Sequence, residues 1–283
     1  MAKPANVLIT GCSSGIGHAT AKRLAERGWR VYATARRLES IADLGAAGCE
    51  TLALDVTDEE SMRSAVAAVE AADGVVGALV NNAGYSQSGA VETIPMERLR
   101  AQFETNVFGL VRMCQLVLPG MRRAGRGRIV NVSSMGGRLT FPGGGAYHAT
   151  KHAVEALSDA LRYEVAAFGV EVVIVEPGLI TTEFGNVAAA SVATAGEGDD
   201  AYGSFNATVA AATRRIYEGP MRRLGGGPET VARAIERALA ARRPKTRYVV
   251  TPSARLALAS RRLLPDRAWD AMMRAQFPEP GRG

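Results

Sequence analysis

Short apolar runs rich in β-branched residues alternate with amphipathic helical segments along most of this chain, and this alternation restricts its fold strongly. The runs are apolar at successive positions, which is typical of strands that are buried on both faces. Helices between such strands indicate crossover connections and therefore parallel pairing. The pattern predicts an α/β fold: a doubly wound parallel Rossmann sheet of about seven strands, with helices on both faces and a C-terminal helical extension. The expected strands are Val7–Thr10, Trp29–Ala35, Leu52–Leu54, Ala78–Asn81, Arg128–Val132, Val170–Val175 and Thr246–Val250.

The alternation is interrupted from about residue 184 to residue 227. This segment is rich in Ala, Thr, Ser and Gly and contains the run Gly196–Asp200. An interruption of this length inside a compact domain is usually a lid, a binding loop or a mobile segment. We therefore expect residues 1–283 to form one Rossmann domain, with a substrate lid at about 184–227 and a C-terminal extension at about 251–283.

The composition favours a cytoplasmic, globular protein. The chain has 283 residues, of which 47% are hydrophobic and 22% are charged, so it can bury a substantial core. Its net charge is +6, and basic residues concentrate in the last quarter, but no aromatic residues are interleaved with them to stack on bases. A nucleic-acid partner is therefore not expected. The sequence also has neither a charged-then-apolar leader nor a run of 18 or more apolar residues, which favours a cytoplasmic protein.

The predicted helix Ser253–Leu264 combines Arg with Leu and leaves two interpretations open. Such a helix can lie on a membrane surface that supplies a lipophilic molecule. It can also dock its apolar face on the domain or on a partner subunit, and we favour docking.

Cysteine and histidine do not indicate a metal site. Cys12, Cys49 and Cys114 are odd in number and widely spaced, which matches neither a disulfide framework nor a zinc motif. His148 and His152 stand four residues apart on a predicted helix, a spacing that two metal ligands can share. Because no third ligand is evident, a packed or surface role is favoured for both.

A glycine-rich turn follows the first strand and opens the first helix, at Thr10–Gly17. Glycines at such a place permit a tight turn and a close approach of the backbone to a pyrophosphate, which then meets the unpaired N–H groups of the helix N-terminus. The strand-turn-helix context predicts dinucleotide binding. The residues expected at the phosphates are Gly11, Ser13, Ser14, Gly15, Ile16 and Gly17.

The second strand indicates which dinucleotide is bound. An acidic residue about 20 positions after the glycines takes the ribose 2′-hydroxyl in NAD-binding folds, but Arg36 and Arg37 stand there instead. An arginine can pair with a 2′-phosphate, which a carboxylate would repel. NADP(H) is therefore preferred, and NAD(H) remains possible. Asp55, with Val56 beside it, is expected at the adenine edge.

Tyr147 and Lys151 have a spacing that suits proton transfer, although taken alone the same spacing is more often that of an exposed, solvated helix face. Residues four apart share one face of a helix, so the phenol and the ammonium would point into the same space. A free tyrosine has a pKa of about 10, and a cation within about 4–6 Å favours the phenolate and lowers that value. Such a pair can move a proton on and off a substrate oxygen.

Together with the glycine turn, several further segments resemble the short-chain dehydrogenase/reductase family, in its single-domain TGxxxGIG branch. Asn81–Gly84 matches the NNAG segment, and Asn106 matches the helix asparagine of the family. Ser134 precedes Tyr147 by the usual 13 residues, Tyr147 and Lys151 complete the YxxxK signature, and Pro177–Thr182 matches the PGxxxT segment. The resemblance implies a cofactor site that also includes Asn82, Ala83, Gly84, Tyr147, Lys151, Pro177, Gly178, Ile180 and Thr182.

The resemblance also implies a mechanism and an assembly. Tyr147 would exchange a proton with the substrate oxygen, Ser134 would hold that oxygen, and Lys151 would lower the pKa of Tyr147 and bond the nicotinamide ribose. Asn106 would anchor a water that links Lys151 to solvent. Family members are commonly homodimers or homotetramers that are built on the two long helices around 106–123 and 147–168.

The glycine turn, the second strand and the long tail look most similar to the hydroxysteroid and retinol dehydrogenase subgroup. This similarity implies a small lipophilic alcohol or carbonyl substrate. The other interpretations are an NADP(H)-sensing binding protein with a dormant site, an NAD(H)-linked dehydrogenase, and a sugar-nucleotide epimerase, whose GxxGxxG loop this chain lacks. The residues expected to contact substrate are Ser134, Met135, Phe141, Tyr147, Leu179 and Phe184, with Tyr202, Phe205 and Tyr217 as further candidates in the lid.

Overall fold

The structure is a computed structural model that describes residues 4–182, 191–192, 200–219, 223–277 and 279–280. The strands in these ranges are β1 (Asn6–Ile9), β2 (Arg30–Ala35), β3 (Glu50–Ala53), β4 (Ala78–Asn81), β5 (Gly127–Val132), β6 (Val170–Glu176) and β7 (Arg247–Val249). Within the described residues they form one seven-stranded sheet in the order β3-β2-β1-β4-β5-β6-β7, and every pair of neighbours is parallel. The predicted doubly wound Rossmann sheet is confirmed.

Helices connect the strands and cover both faces of the sheet. They are α1 (Gly15–Glu26), α2 (Ala42–Ala46), α3 (Glu59–Asp73), α4 (Met96–Phe103), α5 (Gly109–Arg123), α6 (Gly145–Val165), α7 (Gly203–Glu218), α8 (Pro228–Ala240), α9 (Pro252–Leu263) and α10 (Asp266–Arg274). A π-helical turn at Glu104–Phe108 joins α4 to α5.

The core lies on the two faces of the sheet because successive strand residues point to opposite sides. Val7 and Ile9 of β1 belong to a cluster that is completed by α1 and α8, whereas Leu8 belongs to a second cluster with α3, α5 and α6. Each fully buried aliphatic side chain of this kind stabilises the fold by about 1.5–3 kcal/mol. Arg23 of α1 also pairs with Glu236 of α8 at 2.6 Å, which ties the two helices of the first face together.

Two helices lie where the sequence did not predict them. The short α2 precedes β3, and α7 lies inside the predicted lid segment. The base of that segment is closed by backbone hydrogen bonds, from Thr181 N to Gly226 O and from Gly226 N to Leu179 O, both at 2.9 Å. The expected lid therefore contains a helix and is anchored beside the end of β6.

The C-terminal extension docks on the domain. Thr251 caps α9 by accepting a hydrogen bond from the Ala254 N–H. Trp269 and Met273 of α10 are buried against Leu139, which lies in the segment after β5. The apolar side of α10 is thus covered by the domain, whereas α9, for which docking was expected, buries Ser253 and Ala254 and leaves Leu256 and Leu263 exposed. Within the described ranges, no helix combines the length and the apolar character that crossing a bilayer requires.

Candidate active site

A large cavity opens at the point where the strand order reverses. β1 and β4 are neighbours in the sheet although they are not consecutive in the chain, and ligands of doubly wound sheets bind outside the carboxyl ends of the strands at such a point. The cavity there measures about 1340 Å³. Small-molecule pockets usually measure about 300–1,000 Å³, so this one has room for a dinucleotide and a second molecule.

The glycine turn forms one end of the cavity. Gly11, with φ of 72°, packs so closely on the chain after β4 that an added Cβ would lie 2.8 Å from the Ala83 Cα. Gly17 does not line the cavity, in contrast to its predicted contact with phosphate. A Cβ there would lie 2.3 Å from Gly11 O and 2.5 Å from Asn82 Nδ2, so Gly17 allows α1 to pack against the turn.

Asn82 and Thr10 hold the turn in place. The Asn82 Nδ2 donates hydrogen bonds to Thr10 O and Gly11 O, both at 3.0 Å, and the Thr10 Oγ1 accepts from the backbone N–H groups of Asn82 and Ala83. The predicted Asn82, Ala83 and Gly84 all line the cavity. The side chain of Asn82 contributes by bracing the glycine turn.

The N-terminus of α1 suits an anion. Ser14 is its N-cap residue with extended backbone, the Ser14 side chain makes no capping hydrogen bond, and the first turn carries no acidic residue. The first N–H groups of a helix have no intrahelical partner. Thr182 faces this end from the other side, because an added Cβ on Gly15 would lie 3.5 Å from the Thr182 Cγ2. Ser13, Ile16, Pro177, Gly178 and Ile180, which were also predicted to contact the cofactor, line the same cavity.

The end of β2 forms the far wall of the same cavity. Arg36 is exposed and lines it, whereas Arg37 lies outside the lining. Asp55 and Val56 also line this wall. The Asp55 Oδ1 accepts hydrogen bonds from the N–H and the Oγ1 of Thr57, which fixes the orientation of the carboxylate.

Tyr147 and Lys151 lie together near the N-terminal end of α6, and both line the cavity. The Lys151 Nζ is 5.8 Å from the centroid of the Tyr147 ring and donates a hydrogen bond to Val132 O at 2.9 Å. Burial lowers the pKa of Lys151 to about 8. The amine is therefore still mostly a cation at pH 7, next to the phenol.

Ser134 is placed at the cavity, and its neighbour Ser133 is buried more deeply. The half-buried Ser134 caps a 3₁₀ turn at Met135–Gly137, and its Oγ accepts a hydrogen bond from the Gly136 N–H at 3.0 Å. The hydroxyl proton of Ser134 thus remains available to donate. The Oγ of Ser133 is buried without a hydrogen-bond partner among the described residues.

Asn106 lies in the π-helical turn and is buried. Its Nδ2 donates to Tyr85 O at 2.9 Å and to Thr150 Oγ1 at 3.1 Å, and its Oδ1 accepts from the Tyr85 N–H at 3.0 Å. Both amide hydrogens are therefore used by the protein, and only the Oδ1 has capacity left for a water. A Cβ on Gly84 would lie 3.1 Å from this Oδ1 and 3.8 Å from the Lys151 Nζ, so the lack of a side chain at Gly84 leaves the space between them open.

The predicted substrate residues are only partly brought together. Met135, Phe141 and Leu179 line the cavity with Ser134 and Tyr147. Phe184 and the side chain of Tyr217 lie outside the described residues. Tyr202 and Phe205 do not line the cavity, which corrects their prediction as pocket residues: Phe205 is buried in a separate small cluster, and the Tyr202 hydroxyl donates to Glu92 Oε2.

Sequence reasoning missed the residues that the last helices bring to the cavity. α7 contributes Val209 and Ala212, and the C-terminal extension contributes a largely apolar wall. The i, i+3, i+4 spacing of Trp269, Met272 and Met273 indicates one apolar helix face, but it does not reveal what that face covers. The residues of the extension that line the cavity are Ser253, Leu256, Ala257, Ser260, Trp269, Met272, Met273, Gln276 and Phe277.

His148 was also missed as a cavity residue, because its position beside Tyr147 gives no signal by itself. Its ring is buried and lines the cavity. Across the described part of the chain, no group of three or more His, Cys, Asp or Glu side chains is arranged to hold a metal ion.

Comparison with known proteins relates this arrangement to a family. Residues 5–192 match the family model of the short chain dehydrogenase. The chain is 39% identical over 266 residues to the 3-ketodihydrosphingosine reductase of Bacteroides thetaiotaomicron, covering 93% of this chain and 94% of that protein. It is 36% identical to the NADPH-dependent 3-dehydrocapnine reductase of Ornithobacterium rhinotracheale (93% and 94% covered) and 35% identical to retinol dehydrogenase 16 of Rattus norvegicus (97% and 89% covered).

Solved structures agree with the sequence comparison. A short-chain dehydrogenase from Streptomyces avermitilis superposes with a TM-score of 0.78 at 38% identity, over 97% of this chain and 96% of that one. A serine dehydrogenase in its closed form, complexed with NADP+, superposes with a TM-score of 0.75 at 29% identity, over 87% of this chain and 94% of that one.

Proposed function

Since the chain belongs to the short-chain dehydrogenase family, we propose that it is an NADP(H)-dependent oxidoreductase that interconverts a lipophilic secondary or primary alcohol and its ketone or aldehyde. One observation carries this proposal. A single cavity runs from the glycine turn, past Tyr147, Lys151 and Ser134, to the apolar wall of the C-terminal extension. A dinucleotide and a lipophilic molecule can therefore meet at the tyrosine.

The cofactor is assigned from the residues at the end of β2. The close packing at Gly11 and the free N-terminus of α1 fit a pyrophosphate. Arg36 lines the cavity where an NAD-binding fold would carry an acid, and its guanidinium suits a 2′-phosphate. The NADP+ complex of the structurally similar serine dehydrogenase supports the same choice.

The residues around the tyrosine fit proton transfer. The nicotinamide, when bound, supplies or accepts the hydride at the substrate carbon. Tyr147 gives its phenolic proton to the substrate oxygen in reduction and takes it back in oxidation. Lys151 stays mostly protonated at pH 7 and stabilises the phenolate. Ser134, whose Oγ already accepts from Gly136, donates its hydroxyl proton to the same substrate oxygen and stabilises the developing charge.

The space between Asn106 and Lys151 gives the proton a route to solvent. The Asn106 Oδ1 and the Lys151 Nζ both lie within 4 Å of the place where a Gly84 side chain would be. A water held there would accept from the amine and donate to the amide oxygen. Asn106 therefore positions this water, while its own amide hydrogens bind Tyr85 and Thr150.

The lipophilic character of the substrate is assigned from the cavity wall. Phe141, Trp269, Met272, Met273 and Phe277 face the space beyond Tyr147. The relatives that are named 3-ketodihydrosphingosine reductase and retinol dehydrogenase 16 support this assignment.

The proposal is tested with purified protein and a panel of ketones and aldehydes of increasing chain length. NADPH should be consumed with at least one lipophilic member, and NADPH should give the higher kcat/KM when it is compared with NADH. Tyr147→Phe should abolish turnover while NADPH still binds. Full activity of that variant would refute the mechanism, and a preference for NADH would refute the role of Arg36.

A further inference from the structure

Four aromatic rings form a continuous wall from the catalytic tyrosine to the C-terminal extension. The ring centroids of Tyr147 and His148 are 5.7 Å apart, those of His148 and Phe141 are 5.9 Å apart, and those of Phe141 and Trp269 are 6.1 Å apart. All four residues line the cavity, and we call them the aromatic wall. Within this wall, His148 is the neighbour of Tyr147, and its ring carries two nitrogen atoms that can form hydrogen bonds.

The backbone around His148 fixes its ring. The His148 Nδ1 accepts a hydrogen bond from the Phe141 N–H at 3.3 Å. Glycines flank the ring on two sides: an added Cβ would come within 2.4 Å of ring carbons both at Gly136 and at Gly144. No larger residue fits at either glycine without displacing the imidazole. The ring is therefore held in one orientation. A histidine on the surface would not require glycines beside its ring.

The hydrogen bond at Nδ1 also decides which nitrogen carries the proton. Burial lowers the pKa of His148 to about 4, so the imidazole is neutral at pH 7. A neutral imidazole that accepts at Nδ1 carries its proton on Nε2 and donates from there. The described residues supply no hydrogen-bond partner to Nε2, and this atom is not sealed inside the protein. Because His148 lines the cavity, a water or a ligand there can accept a hydrogen bond from this donor.

We propose that the His148 Nε2–H donates a hydrogen bond to a second oxygen of the substrate, which makes His148 a specificity-determining residue. Because the ring centroids of His148 and Tyr147 are 5.7 Å apart, we place this oxygen on the first or second carbon from the reacting carbonyl. The substrate class that fits is a lipophilic ketone with a neighbouring hydroxyl or carbonyl oxygen. This inference rests on the proposed function, because it places the reacting carbonyl at Tyr147.

The proposal is tested with matched ketones: 2-undecanone, 1-hydroxy-2-undecanone and 4-hydroxy-2-undecanone, with NADPH. The wild type should reduce at least one hydroxyketone with a kcat/KM roughly 10-fold above that of 2-undecanone, as expected for one hydrogen bond in a desolvated site. His148→Leu removes the donor and should abolish this preference, while activity on 2-undecanone falls much less. An unchanged preference in His148→Leu would overturn the proposal.

Two further variants separate donation to substrate from support of the Phe141 backbone. An amide nitrogen of His148→Gln can replace Nε2, whereas His148→Asn can replace only the acceptor at Nδ1. The preference should persist in His148→Gln and disappear in His148→Asn, and the opposite result would indicate a purely structural role. His152→Gln is the matched control: this exposed histidine is one helical turn away and outside the cavity lining, so its substitution should not change the ratio.

Binding is measured separately, so that failure of the proposed function can be distinguished. Trp269 belongs to the aromatic wall, and quenching of its fluorescence gives dissociation constants for the three ketones without turnover. Tighter binding of a hydroxyketone that is lost in His148→Leu, combined with no NADPH oxidation, would uphold this inference and refute the proposed reaction. Equal binding of the three ketones, or no binding at all, would overturn the inference.

Discussion

Lys151 shows at the scale of a single residue how a buried charge serves a site at the expense of stability. Burial lowers its pKa to about 8, from an ordinary value of 10.5. Between these values the unfolded chain binds more protons than the folded one, so folding becomes more favourable as the pH rises from 8 to 10.5. Below pH 8 the folded protein bears the whole cost of a buried ammonium.

Lys151→Met should therefore stabilise the cofactor-free protein and inactivate it. We expect the free energy of unfolding at pH 7 to rise by about 2 kcal/mol, after the lost hydrogen bond to Val132 O is subtracted from the relief of burial. Urea unfolding of both proteins at pH 7 and pH 10 measures the effect, and the difference between them should shrink at the higher pH. A variant that is less stable at pH 7 would contradict this account of Lys151.

Gly84→Ala tests the route between Asn106 and Lys151. The new methyl group would lie 3.1 Å from the Asn106 Oδ1 and 3.8 Å from the Lys151 Nζ, where the proposed water is held. We expect kcat to fall about 10-fold. Proton transfer by a positioned side chain accelerates a reaction by about 10²–10⁴-fold, and this substitution disturbs only the connection between the proton-transfer site and solvent. Gly227→Ala is the control, since a methyl group there meets nothing within 4 Å. Equal kcat values for both variants would exclude a water at this position.

At the scale of secondary structure, the sequence predicts elements better than it predicts their partners. Val7, Leu8 and Ile9 of β1 are apolar at successive positions because both sides of the strand face helices, so a parallel sheet follows from the pattern alone. The spacing of Tyr147 and Lys151 likewise predicts a shared helix face. In contrast, the apolar stripe of α10 predicts that this face of the helix is buried, but it does not predict which part of the domain the face packs against. The hydrogen bonds of Asn106 to Tyr85 depend on a π-helical turn that has no sequence signature.

The docked position of α10 predicts that this helix selects substrates by length. Met272 is partly buried and lines the cavity, so a chain that extends from the reacting carbon should contact its thioether. Met272→Gln places an amide in an apolar wall and should raise KM for 2-undecanone about 10-fold, because desolvating an unpaired amide costs about 1–3 kcal/mol. KM for 2-butanone should not change, and steady-state kinetics with NADPH measures both.

The exposed Met96 on α4 provides the control for that experiment. Met96→Gln makes the same chemical change at a residue that does not line the cavity, and it should alter neither KM. Equal effects of Met272→Gln on both ketones would mean that α10 supports the fold and takes no part in substrate selection.

For the whole molecule, helix α6 and the turn that precedes α5 leave large apolar side chains in solvent. Tyr163 is 88% exposed and Leu157 is 41% exposed on α6, while Phe108 precedes α5 and is 55% exposed. Since short-chain dehydrogenases commonly assemble through these two helices, we predict that the protein is a homodimer or a homotetramer.

The assembly is checked by light scattering during size-exclusion chromatography. The wild type should elute with at least twice the mass of one chain. A symmetric interface would bury these apolar side chains of both subunits, which is favourable. Leu157→Glu combined with Tyr163→Glu places charges at that interface and should give monomers. Both residues lie outside the cavity lining, so NADPH binding should survive, and Leu263→Glu at an exposed position of α9 should leave the assembly intact. A wild type that elutes as a monomer, or a double variant that remains associated, would require a different interface.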